Sequence, residues 1–269
     1  MSSFDPVFPE GLSFFEPYLR YHIKEIIEIG GEALVARNSR GEISGLFIYD
    51  DFEKNGTIYT RSAELFDYFY NLKPFNFLFS EFSSSDREKE IFDIYTLDLG
   101  KVPVVHGFTH QVSVSDGTQI GEIERFMALT HPGINKNWVR VALNSGDRCV
   151  IVRLADSEIA GVGWLSLVNR IGRLHSLYVK PQFRRSRIGE DLLFARLFWL
   201  KSKRARFAFS EIARENLASA RIAMKGGMKV SGQVYQYTSG EKDPGRIEKK
   251  APLASRSSAN RTDLGRGVD

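Results

Sequence analysis

Leu177-Tyr178-Val179-Lys180-Pro181-Gln182-Phe183-Arg184-Arg185-Ser186-Arg187-Ile188-Gly189 is the stretch on which the reading of this chain turns. The run Leu174–Val179 reads as a strand, and Pro181 stops it, because proline cannot donate to a ladder. An apolar helix follows from Glu190. A strand–loop–helix unit aims the helix's free N–H groups and its positive dipole end into the space beyond the strand, which favours phosphate. Gly189 has no Cβ to keep a ligand from the backbone. Three arginines add charge and forked donors suited to phosphate oxygens. Taken alone, the same loop also reads as a solvated basic turn before an ordinary helix.

A second stretch follows the next strand, Phe207–Ile212: Asn216-Leu217-Ala218-Ser219-Ala220-Arg221-Ile222-Ala223-Met224-Lys225-Gly226-Gly227-Met228. The two stretches, in this order and at this spacing, resemble the two motifs of the GNAT superfamily of acyl-CoA-dependent N-acetyltransferases. Those motifs are V-x-P-x-[YF]-[QR]-x-x-G-x-[GA] and N-x-x-[SA]-x-x-[LI]-Y-x-x-x-G-[FM]. The resemblance covers about 111–238. It implies that the backbone of Arg184, Arg185, Ser186, Arg187, Ile188 and Gly189 holds the pyrophosphate of acetyl-CoA. It further implies that the main chain of Leu177 and Val179 binds the pantetheine arm, and that Asn216 and Ser219 line the cofactor's other side. The implied chemistry is attack of an amine on the acetyl thioester, with a base for the proton and a tyrosine for the leaving thiolate.

The chain departs from the pattern at three places. Arg187 stands where the first glycine is usual, Ala223 where the tyrosine is usual, and Arg173 where some relatives carry a glutamate base. His175, two residues on, shares the face of Arg173 by strand alternation, and an imidazole there suits proton transfer near neutral pH. It is the candidate catalytic residue; the bland reading is a strand histidine satisfied by a neighbour. A tyrosine placed at 223 is expected to raise kcat if that position faces the sulfur. Tyr235 and Tyr237 are candidates for the missing phenol, though aromatic residues on a strand usually pack. His131, before Pro132, falls in the segment that forms part of the acceptor cleft in relatives. Glu211 is matched by Glu81 in a half that lacks the loop, which favours a structural role.

That match belongs to an internal similarity. At an offset of 116 residues, 30–60 falls on 146–176, with Gly30/Gly146, Arg37/Arg153, Glu42/Glu158, Ile43/Ile159, Gly45/Gly161 and Gly56/Gly172 identical. At an offset of 130, Phe77-Leu78-Phe79-Ser80-Glu81-Phe82 falls on Phe207-Ala208-Phe209-Ser210-Glu211-Ile212. Each copy reads as a hairpin, a third strand, a helix and a buried strand, and the first lacks the phosphate loop. The expected class is α/β (α+β layered), with two GNAT-like mixed, mainly antiparallel sheets flanked by helices. The expected organisation is a degenerate domain over 1–107, an acyl-CoA-binding domain over 108–238 and a disordered tail over 239–269. The tail carries seven basic and five acidic residues and no aromatics, too little apolar surface to order itself.

Composition narrows the classes further. The 269 residues are 42% apolar and 26% charged, ordinary for a chain with a real core. The net charge of +4 is slight, and half of it lies in the tail, which disfavours nucleic acid as a partner. Cys149, the one cysteine, forms no intramolecular disulfide and fits a reducing interior, so the expectation is a cytoplasmic protein. Asp5, Pro6, Pro9 and Glu10 break any signal sequence. Leu192–Leu200, interrupted by Arg196, is shorter than the ~20 residues that span a bilayer. Five scattered histidines give no metal-ligand spacing. Two functions remain: an acyltransferase that moves acetyl from acetyl-CoA to a small amine or a protein amine, or a CoA-binding regulatory module with weak or no catalysis. The acceptor and the oligomeric state are not legible.

Overall fold

A computed structural model describes residues 18, 21–22, 31–51, 54–102, 107–115, 117–130, 137–154 and 158–238. The expected tail over 239–269, His131, and part of the expected domain junction (103–106) lie outside them. In chain order the elements are β1 (Glu32–Arg37), β2 (Ile43–Asp50), β3 (Asn55–Thr60), α1 (Ala63–Tyr70), β4 (Phe77–Ser80) and β5 (Lys89–Asp98). Then follow β6 (Gln111–Val114), α2 (Ile120–Thr130), α3 (Trp138–Asn144), β7 (Arg148–Arg153), β8 (Ile159–Val168) and β9 (Ile171–Val179). The last are α4 (Ile188–Ser202), β10 (Phe207–Ala213), α5 (Leu217–Lys225) and β11 (Lys229–Thr238).

The sheet is mixed and mainly antiparallel, as the sequence led us to expect. It is one sheet, however, and not two. Its eleven strands run β1-β2-β3-β4-β11-β5-β10-β9-β8-β7-β6. The two halves interleave: β11 pairs with β4 and β5, and β5 pairs with β11 and β10. The physical reason is the open edge. Strands β4 and β10 each close a parallel pair and leave a row of backbone groups needing a partner. The last strand of each half satisfies the edge of the other, so among the described residues only β1 and β6 remain at the rim.

The two hairpins share one register at the offset of 116 residues. Val35, Ala36 and Arg37 pair with Leu46, Gly45 and Ile43. Ile151, Val152 and Arg153 pair with Val162, Gly161 and Ile159, each 116 residues on and with the same one-step bulge. The third strands then differ. Strand β3 pairs with β2 in unbroken register, whereas β9 shifts register against β8 between Val162 and Trp164. Ser176 lies in that shift with φ +47°, a left-handed backbone.

Helix α4 carries the packing on the site's side. Ile188, Leu192, Ala195, Arg196 and Leu200 recur at helical spacing and are buried against β7, β8 and β9. Each fully buried leucine contributes about 1.5–3 kcal/mol of transfer free energy. Close approach requires bare backbone beneath: a Cβ on Gly163 would stand 3.0 Å from Arg196 Nε. On the opposite face α2 and α3 cover Cys149, Ile151 and Trp164. Tyr18 and Tyr21 cover the middle of the sheet over Tyr59, Ile94 and Phe209.

Candidate active site

The site begins where two parallel strands part. Strands β9 and β10 pair only at Ile171–Phe207, Gly172–Ala208 and Arg173–Phe209. Beyond that, β10 stays with β5 as far as Ala213, while β9 follows β8 as far as Val179. The last tie across the gap is the Ser210 hydroxyl, donating to the Leu174 carbonyl at 2.8 Å. Strands held by different neighbours diverge, and a crevice at the carboxyl ends of parallel strands is where open α/β sheets bind ligands.

The phosphate-type loop lies at this end. A 3-10 turn at Pro181–Phe183 leads into Arg184–Arg187, and α4 starts at Ile188. Arg185 (φ +68°) and Arg187 (φ +66°) both take the left-handed region. Arg187, standing where the first glycine is usual, thus adopts the backbone that glycine would supply, at a cost of about 1 kcal/mol. The carbonyl of Arg187 accepts from Glu190 and Asp191, which closes the first turn of α4. The N–H groups of Arg185, Ser186, Arg187, Ile188 and Gly189 have no acceptor among the described residues. Arg184, Arg185 and Arg187 are exposed around them. Five unpartnered backbone donors and three exposed cations thus lie together in this loop, whereas Ile188 buries its side chain in the core.

The remaining predicted binding residues are placed as follows. Leu177 and Val179 turn their side chains onto the α4 core. Val179 pairs with Gly161, whereas Ser176 and Leu177 stand opposite no β8 residue. Asn216 caps α5, its Oδ1 accepting the Ser219 N–H at 3.2 Å, so both residues are tied up in one helix start. Gly189 has a packing reason of its own: a Cβ there would meet Ile222 Cδ1 of α5 at 2.6 Å. Ala223 is 3% exposed, clustered with Leu193, Ala220 and Met228, so the place of the usual tyrosine is closed by packing. Tyr237 is committed elsewhere, its hydroxyl donating to the Phe82 carbonyl within the core of the first half.

His175 is turned toward the loop before β7 and not into open solvent; its side chain is 7% exposed. Nε2 lies 3.5 Å from Asp147 Oδ2, and Nδ1 lies 3.3 Å from the Ser176 hydroxyl. Beneath the same bulge, Arg196 donates from Nη1 to the carbonyls of Trp164 (3.1 Å) and His175 (3.3 Å). Burial lowers that guanidinium's pKa to about 9, with Cys149 opposing, so it stays charged at neutral pH. Burial likewise pushes the Cys149 thiol well up, which removes it as a nucleophile.

Arg173, at the family's glutamate position, is a partner and not a base. Its Nε donates to Glu211 Oε2 at 3.2 Å, both side chains being almost fully buried. Burial pushes the Glu211 carboxyl up, but Arg173 and the His22 contact at 3.4 Å outweigh it and hold the carboxyl at about 2. At that value it is too weak a base for an ammonium proton. The structural reading of Glu211 is the one this geometry favours. Asp147, Ser176 and Arg196 were missed by sequence reasoning. A bulge leaves no periodic signal, and Asp147 lies 28 positions from His175; only the arginine inside an apolar helix opposite Gly163 was a visible anomaly. Among the described residues, no three His, Cys, Asp or Glu side chains are placed to hold a metal, and no helix is long and apolar enough to cross a membrane.

Residues 121–227, from α2 to the end of α5, match the Acetyltransferase (GNAT) family. Among solved structures, a GCN5-related N-acetyltransferase from Sphaerobacter thermophilus is 12% identical with a TM-score of 0.57, over 83% of this chain and 92% of that one. A GCN5-related N-acetyltransferase from Kribbella flavida is 10% identical with a TM-score of 0.56, over 82% and 94%. A GNAT-family acetyltransferase from Colwellia psychrerythraea is 10% identical with a TM-score of 0.54, over 86% and 97%. At such identities the likeness is one of fold, and it extends past the matched segment into the first half. No curated protein matches the sequence.

Proposed function

We propose that this protein is an N-acetyltransferase that moves the acetyl group of acetyl-CoA to an amine, either a small amine or an amine on a protein. The observation that carries the reading is the row of five backbone donors, Arg185 to Gly189, at the mouth of the β9–β10 crevice. Those donors and the guanidinium groups of Arg184, Arg185 and Arg187 would hold the pyrophosphate. The β9 main chain at Leu177 and Val179 would take the pantetheine arm, and the start of α5 at Asn216 and Ser219 would border it. His175, with Asp147 behind it, supplies the proton-accepting pair. We read 108–238 as the acyl-CoA-binding unit and 1–107 as a second, degenerate copy. It has the same hairpin register and no loop equivalent to Val179–Gly189, so it holds no second cofactor.

A second reading has an observation in its favour. Ala223 is buried and both His175 nitrogens face protein groups, as in a CoA-binding module without turnover. One experiment separates the two. At about 100 times its dissociation constant, acetyl-CoA should stabilise the fold by ~2.7 kcal/mol. For a chain of this size that is a melting shift of roughly 5–10 °C. Calorimetry should give one CoA per chain, and free thiol should appear with an amine panel. Binding without thiol release would support the module, and no melting shift with no binding heat would refute both.

A further inference from the structure

Ala223 leaves the position of the usual acid without a proton donor. Ser176 combines three features that no other residue of the crevice shares. Its backbone is left-handed at φ +47°, a conformation that costs a non-glycine residue about 1–2 kcal/mol and clusters at functional sites. It sits in the register shift of β9, in the stretch where the ladder to β10 has ended and no β8 residue stands opposite. Its hydroxyl lies 3.3 Å from His175 Nδ1, while Nε2 of the same ring faces Asp147 at 3.5 Å. A flat strand would put residues 175 and 176 on opposite faces. The bulge brings their side chains together, and Arg196 occupies the His175 and Trp164 carbonyls at that bulge.

We propose that Ser176 is the catalytic residue that exchanges protons with the reactants, and that His175 and Asp147 act through it. This rests on the acetyl-transfer reading. The ring is too enclosed to meet an amine directly, whereas Ser176 is half-buried in the unladdered stretch of the crevice strand. The amine nitrogen bonds to the acetyl carbon and becomes positively charged, while the carbonyl π pair moves onto oxygen as an oxyanion that re-forms the carbonyl when sulfur leaves. Its proton passes to the Ser176 oxygen as the hydroxyl proton moves to His175 Nδ1, leaving an imidazolium beside the Asp147 carboxylate. The carbon–sulfur bond then breaks and the sulfur takes the electron pair. His175 returns its proton through Ser176 to the sulfur, giving CoA thiol and the amide. Serine and histidine end as they began, and no acyl–serine forms. One relay serves as base and acid, which explains how the site dispenses with a tyrosine at Ala223.

The test is Ser176→Gly, which removes the hydroxyl and suits the left-handed backbone, so the fold is kept. Loss of a positioned acid–base group should lower kcat with acetyl-CoA by about 100-fold or more. The dissociation constant for acetyl-CoA and the melting temperature should stay near wild type. A donor whose thiolate leaves unprotonated, the acetyl thioester of 4-nitrothiophenol, should shrink the loss to under about tenfold, since only the base half of the relay is then missed. Ser176→Cys, which keeps a proton at the position, should recover part of the rate with acetyl-CoA. A glycine variant within threefold of wild-type kcat overturns the proposal. So does an equal loss with both donors accompanied by weaker CoA binding, which would mark a structural role. A wild-type protein that binds acetyl-CoA but acetylates no amine overturns the transferase reading itself, and the relay with it.

Discussion

Replacing Glu211 by glutamine tests the buried charge pair that joins β10 to β9. The carboxylate accepts from Arg173 at 3.2 Å and contacts His22 at 3.4 Å, with its side chain 1% exposed. Holding its carboxyl at about 2, where a free glutamate titrates near 4.5, corresponds to about 3 kcal/mol at 1.36 kcal/mol per tenfold. Breaking a buried pair from one side costs about 3–5 kcal/mol by a different route, because Arg173 is left as an uncompensated cation. The two estimates agree at about 3 kcal/mol, or roughly 6–12 °C of melting temperature in a chain of this size. The sign with pH follows from the depressed value. The contribution is complete above about pH 4.5 and is lost as pH falls toward 2. Urea unfolding of wild type and Glu211→Gln at pH 7 and pH 3.5 should therefore show a gap of about 3 kcal/mol that narrows to about 2 kcal/mol. A double variant, Arg173→Met with Glu211→Leu, should recover much of the loss, since neither charge is then stranded. A glutamine variant within 1 kcal/mol of wild type at pH 7 would refute the ion-pair account and reopen Glu211 as a functional carboxylate.

Two further substitutions probe the departures from the motif. Arg187→Gly relieves a left-handed backbone and should stabilise the chain by up to about 1 kcal/mol in thermal melts. It also removes a cation beside the phosphate donors, so acetyl-CoA affinity by calorimetry should fall at low ionic strength and converge with wild type at high salt. Ala223→Tyr, expected from sequence to raise kcat, should instead overpack the cluster of Leu193, Ala220 and Met228. That costs about 1–3 kcal/mol of stability with no gain in turnover, and a faster enzyme would show that the position opens to the crevice after all.

The sequence by itself carried what depends on local order. Proline after a strand, and glycine and arginine before a helix, are read along the chain. With the two motifs they located the crevice loop and the class of the fold. The offset of 116 residues likewise predicted two hairpins; that they share one register, with a one-step bulge at Arg37 and at Arg153, came from the structure. Long-range pairing was beyond its reach. Nothing in Lys89–Asp98 or Lys229–Thr238 states that each will complete the other half's sheet, since backbone hydrogen bonds do not distinguish which edge supplies them. The same holds for the chemistry. Alternation placed His175 on the face of Arg173, but the ring's two partners come from a loop before β7 and from a bulge. Whether a histidine meets solvent or a carboxylate is decided only when β8 lies between β7 and β9 and brings the loop before β7 within reach of the ring.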